Sequence, residues 1–189
     1  MTSPTDEDIA KICFLIRIRS QSNKNAIAAL STHNLFGHMV GVLRLELDSL
    51  IRTIYLLTID DVQERARLAK SVLDGEGFRK ATGGRIQDRQ MVELSSKLHG
   101  WTGLVYKFGC EFIHLSNLHN ELTKDPFLTL PEEEKRSIIH YINKYHFVGL
   151  HKNSPFSEVA SHIPVIFQKI SANLECYLKQ LESTQLPEP

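Results

Sequence analysis

The stretch Met91-Val-Glu-Leu-Ser-Ser-Lys-Leu-His-Gly-Trp101-Thr-Gly-Leu-Val-Tyr-Lys-Phe108-Gly-Cys-Glu-Phe-Ile-His114-Leu115 decides the fold class. Its residues Met91, Leu94, Leu98, Trp101, Val105, Phe108, Phe112 and Leu115 recur at alternating steps of three and four. That spacing lines them along one face of a helix, the pattern of a rod buried along its length in a bundle. The spacing predicts one long organising helix from Asp88 to about Asn120, capped by Asp88 and kinked at Gly100 and Gly103.

Two further stripes repeat the pattern. Phe36, Val40, Leu43, Leu47, Leu50, Ile54 and Leu57 predict a helix from about Thr32 to Leu57. Val159, Ile163, Ile166, Ile170, Leu174, Tyr177 and Leu181 predict another, opened by Ser154-Pro155 and bent at Pro164. Rods with matching stripes pack side by side. Shorter helices complete the set. One is capped by Thr5 or Asp6 and runs to about Ser20, before a turn over Ser20–Asn25, whose side chains compete for backbone hydrogen bonds. Another starts at Asp60 or Asp61 and ends near Leu73, and a third opens with Pro131 and the acidic run Glu132–Glu134. Between them, Asp74–Arg85 is a long glycine-rich loop. The expectation is an all-α, single-domain helical bundle of about five to seven helices, two or three of them long. It would cover residues 1–184, with 185–189 as a disordered tail.

Composition agrees with a globule of this kind. At 189 residues the chain is long enough for one sizeable core. Lys plus Arg and Asp plus Glu both number 22, so no global field draws the chain to nucleic acid or to an anionic membrane. Cys13, Cys110 and Cys176 form no CxxC pair, which argues against a zinc knuckle and for reduced thiols in a cytoplasmic protein. The acidic start Asp6-Glu-Asp8 is the opposite of a secretory signal, and no apolar run reaches membrane-spanning length.

The polar residues allow several chemistries. Arg44, Asp48 and Arg52 stand four apart, opposite the apolar stripe of their helix, so they form either a solvated ladder of ion pairs or a phosphate-binding face. Gly37 and Gly41 beside them would let another helix or a ligand approach closely. Glu46 lies on the apolar side, where pairing with a hydroxyl or a histidine is expected. Glu111-x-x-His114 has the spacing used in di-iron bundles, but no second such pair occurs. His114 and His119 stand roughly 140° apart around a regular helix, too far to share a metal unless the helix breaks. By phase, His119 continues the buried stripe and His114 flanks it with Lys107 and Glu111. No cofactor and no metal are expected, with a metal-binding bundle as the third reading.

Leu43-Arg-Leu-Glu-Leu-Asp48-Ser-Leu-Ile-Arg-Thr-Ile-Tyr-Leu-Leu57 and Phe112-Ile-His114-Leu-Ser-Asn-Leu-His119 together resemble the HEPN-like helical bundles, over about residues 30–120. That resemblance implies a helical fold and homodimerisation. In the active members it implies metal-independent RNA cleavage by an Arg, four to six residues, then a His. No Arg stands at that distance before any His in this chain, and the nearest approximation is Lys107 followed by His114. The leading expectation is therefore a dimeric binding or regulatory module, with Arg44, Asp48, Arg52 and His119 as its binding residues and RNA or another protein as its partner. The alternative is an RNA endonuclease in which His114 is general acid/base and Lys107 or Arg52 steadies the phosphate.

Overall fold

The computed structural model describes residues 4–119 and 124–183, and the long apolar stripes in them are helical but for breaks. Leu115, expected to close the 91–115 stripe, lies outside the helices and is 97% exposed. Helix α1 spans Pro4–Thr32, α2 Phe36–Leu57, α3 Val62–Leu73, α4 Asp88–Leu98, α5 Thr102–Ile113, α6 Glu132–His146, α7 Phe156–Ser161 and α8 Ile163–Ser183. A single 3₁₀ turn covers Asn117–His119. The class is all-α as expected. The helix count among the described residues exceeds the five to seven anticipated, because two stripes are cut. Residues 185–189, expected as a tail, lie outside the described residues.

The first cut is in the 91–115 stripe. His99 adopts φ −132° and ψ 89°, outside the helical region, so the expected kink is a full break between α4 and α5. The buried Thr102 hydroxyl donates back to the His99 carbonyl at 3.0 Å and holds the corner. A Cβ on Gly100 would come within 2.8 Å of the Tyr141 hydroxyl, so the glycine lets α6 lie against the corner. The second cut separates α7 from α8 at His162, two residues before Pro164. Proline cannot donate to the preceding turn, which accounts for its place in the first turn of α8.

Helix α1 is longer than the sequence suggests, running unbroken through Ser20–Asn25. The reason lies on α2. The Ser20 hydroxyl and the Asn23 amide donate to the Glu46 carboxylate, so they do not compete for the backbone of their own helix. Ser171 on α8 donates to the same carboxylate at 2.8 Å. Glu46 is fully buried, paired with hydroxyls as expected, and joins three helices. A second joint lies nearby, where Arg17 of α1 holds both Glu175 and Glu182 of α8, with contacts of 2.6–3.0 Å.

The core is organised around α2 rather than around the 91–115 stripe. Met39, Val40, Leu47, Leu50, Ile51, Ile54 and Leu56 are all buried, and they point to more than one side of the helix. Helices α1, α3, α4, α5, α7 and α8 all pack against it. Deeply buried Phe127, Phe167, Leu174 and Leu178 extend the same continuous core. The glycine-rich loop is pinned rather than loose: Phe78 and Ile86 are buried, and the Ile86 N–H donates to the Phe78 carbonyl at 2.8 Å. Gly83 and Gly84 turn the chain at φ 89° and 84°, conformations that suit glycine. No described helix is long and apolar enough to cross a membrane.

Candidate functional site

The Arg44–Asp48–Arg52 face is a packed junction and not a solvated ladder. Arg44 is 6% exposed, with its guanidinium 3.6 Å above the Tyr106 ring of α5. It reaches that position because Gly109 on α5 carries no side chain: a Cβ there would fall 2.7 Å from Arg44 Cβ. Close approach thus happens at Gly109, whereas a Cβ on Gly41 would meet nothing within 4 Å. Asp48 accepts from Arg52 Nε at 3.0 Å and from Arg19 of α1 at 3.3 Å, and its Oδ1 lies 3.8 Å from Arg44 Nη1. Arg52 continues to Asp88 at the start of α4, at 2.7 Å. Burial alone would raise the Asp48 pKa, but the hydrogen bond and charge of Arg52, backed by Arg19 and Arg44, outweigh it and hold the carboxyl below its usual value. The junction ties α1, α2, α4 and α5 together.

The histidines lie elsewhere. His114 follows the last turn of α5 with extended backbone (φ −96°, ψ 150°), and its side chain is exposed. The helix does break between the two histidines. His119 sits in the 3₁₀ turn, exposed rather than in the core, and its Nε2 lies 2.9 Å from the His114 carbonyl oxygen. Leu118 takes the buried position instead, because the turn changes the phase of the stripe. Lys107 forms a 2.6 Å ion pair with Glu134 of α6. No group of three or more His, Cys, Asp or Glu side chains among the described residues is placed to hold a metal.

The most apolar concavity involves residues that carry no motif. It is a cavity of about 90 Å³ between α6 and the rest of the bundle. Val40 and Leu43 of α2 form its floor, Leu104, Val105 and Phe108 of α5 one wall, and Ile163, Ile166 and Ile170 of α8 the other. Helix α6 closes it with Ile138, Tyr141, Ile142 and Tyr145. The α6 tethers include the Lys107–Glu134 pair at its start and, near its end, Asn143, which exchanges hydrogen bonds of 2.9 and 3.0 Å with Leu150 backbone. Trp101, the only tryptophan of the chain, lines the cavity, as do His146 and Lys169. An apolar cleft with a few convergent polar groups is the usual form of a small-molecule site.

Two histidines near the cleft are only partly exposed. His99 shares a 2.7 Å hydrogen bond with the Tyr177 hydroxyl and packs on Trp101, and burial lowers its pKa from the usual 6.5. His146 is lowered by burial and then by the charges of Lys169 and His162. Because the folded pKa values are depressed, the unfolded chain binds these protons more tightly. The stability they contribute is complete above about pH 6.5 and is lost as the pH falls through their folded pKa values. The thermal midpoint is therefore expected to fall between about pH 7 and about pH 5. The fall should shrink in a His99→Gln/His146→Gln double variant; an identical fall in that variant would assign the acid sensitivity to other groups.

Comparison of the chain with models of known families, with curated proteins and with solved structures finds no match to any of them.

Proposed function

We propose that this protein is a binding module that takes a small apolar ligand into the cleft beneath α6. The observation that carries the proposal is the cavity itself. It is a half-open cleft lined by residues of five helices with almost no polar surface, the usual form of a small-molecule site. Helix α6 serves as its cover, held by the Lys107–Glu134 pair and the Asn143 bracket. What weighs against RNA cleavage by His114 and Lys107 is the ion pair that already occupies the lysine.

Trp101 provides the readout. Titration with octan-1-ol is expected to change its fluorescence saturably, with a Kd on the order of 0.1–1 mM. Val105→Phe, which adds a ring to a half-buried wall position, is expected to weaken that binding roughly tenfold without unfolding the chain. A linear, unsaturable response, or unchanged binding in a folded Val105→Phe variant, would remove the cleft from consideration.

A second reading rests on α1, and concerns the homodimer that the resemblance to HEPN-like bundles implies. Phe14, Leu15 and Ile18 stand on the outer side of this helix, 61%, 48% and 51% exposed. Apolar side chains clustered in this way mark contact surfaces. We propose that two copies meet there. Light scattering is expected to give twice the mass of one chain, reduced to a single mass in Phe14→Glu/Ile18→Glu; a wild-type protein that runs as a monomer ends this reading.

A further inference from the structure

We infer that the occupant of the cleft is a slim, unbranched carboxylate whose acyl chain enters the cavity and whose negative head rests among Lys169, Lys144 and His146. The inference builds on the cleft-binding reading and adds the charge and shape of the ligand.

The head-group site is centred on Tyr145 and on Lys169, an exposed residue that lines the cavity. The Lys169 ammonium stands 4.4 Å from the centre of the Tyr145 ring and the Lys144 ammonium 5.4 Å from it. Two cations therefore share one ring. His146, next along α6, lines the cavity together with Lys169 and feels the positive charge of both Lys169 and His162. Neither lysine forms an ion pair with a carboxylate among the described residues, although such pairs are frequent elsewhere in the molecule. A ring face offsets part of the repulsion between two ammonium groups, but an anion between them would offset far more. The bland alternative is that each lysine lays its stem over the ring and leaves its charge in water. That account fits either lysine alone. It does not explain why two from different helices, α6 and α8, gather on one ring that lines the apolar cavity beside a histidine.

The shape follows from the opening. The space of about 90 Å³ is apolar and partly open to solvent, so it holds only part of a longer ligand. A flexible polymethylene chain can fill such a space and leave its remainder outside, which a rigid aromatic acid does less well. The polar end must stay at the opening, because the interior walls are Val40, Leu43, Leu104 and Phe108 and offer nothing to satisfy a carboxylate.

The test compares three probes of one chain length on the full protein by Trp101 fluorescence and calorimetry: octanoate, octan-1-ol and octylammonium. Octanoate is expected to bind roughly tenfold more tightly than octan-1-ol, and octylammonium most weakly. Lys169→Gln and Lys169→Glu change an exposed position, so they leave the fold intact. They are expected to remove the preference for octanoate over octan-1-ol. Equal binding of octanoate and octan-1-ol, or an octanoate preference that survives Lys169→Glu, overturns the anionic head but leaves the cleft standing. Failure of all three probes takes away the cleft and this inference with it.

Discussion

Replacing Glu46 with alanine is expected to destabilise the protein by about 3–4 kcal/mol, among the larger losses a single substitution produces. The carboxylate is fully buried, and it accepts hydrogen bonds from Ser20, Asn23 and Ser171, which belong to two different helices packed against its own. Alanine would leave all three donors facing a hole with no acceptor. Each stranded buried polar group costs about 1–3 kcal/mol, less what rotation of a hydroxyl recovers. Glu46→Gln keeps the shape but turns one acceptor oxygen into a donor, so a loss of about 1–2 kcal/mol is expected. Urea denaturation measures both, as a lower midpoint with an unchanged slope. A Glu46→Ala protein within about 1 kcal/mol of wild type would mean that the three donors find other partners, and the three-helix joint would lose its meaning.

The second large effect is expected at Gly109. Arg44 Cβ would lie 2.7 Å from a Cβ at this position, and Arg44 Cγ and Cδ 3.0 Å from it. The nearest of these atoms is fixed to the α2 backbone and cannot swing away. A side chain at Gly109 must push α5 off α2 or displace the guanidinium from Tyr106. Gly109→Leu is expected to cost about 3 kcal/mol, at the upper end of overpacking effects. Gly41→Ala makes the contrast. It lies inside α2 with no atom within 4 Å of the added carbon, so the entropy of the unfolded glycine is the main quantity that changes. A gain of about 0.5–1 kcal/mol is expected there. If both substitutions proved neutral in thermal melts, the close approach of α2 and α5 would be wrong.

These two glycines also show how far the sequence could be read. The apolar stripes of α2 and α8 were legible because they run in one phase, and helices follow from phase alone. The 91–115 stripe kept its phase across Gly100, so nothing in its spacing announced that His99 leaves the helical region. Ser20–Asn25 read as a turn because serine and asparagine compete for local backbone groups. Their true partner, Glu46, is remote in the chain, and tertiary demand overrode local preference. For the same reason Arg44 read as solvated, since only the absent side chain of Gly109 across the interface admits it. Among the candidate site residues, Arg44, Asp48 and Arg52 do form one assembly, whereas His114 and His119 stand in an exposed segment beyond α5. The cleft had no sequence signal at all. Its walls come from residues between Val40 and Ile170 that look like ordinary core, and the lysines around Tyr145 lie on two separate helices.

The Arg17 clamp has a consequence for the birth of the molecule. Its two carboxylates, Glu175 and Glu182, are among the last described residues to leave the ribosome, while Arg17 is among the first. During translation α1 can meet α2 and α3 early, yet its flank toward α8 stays bare and Glu46 waits for the Ser171 hydroxyl. Closure therefore waits until α8 has been made, and the nascent chain carries an unfinished groove until that helix docks.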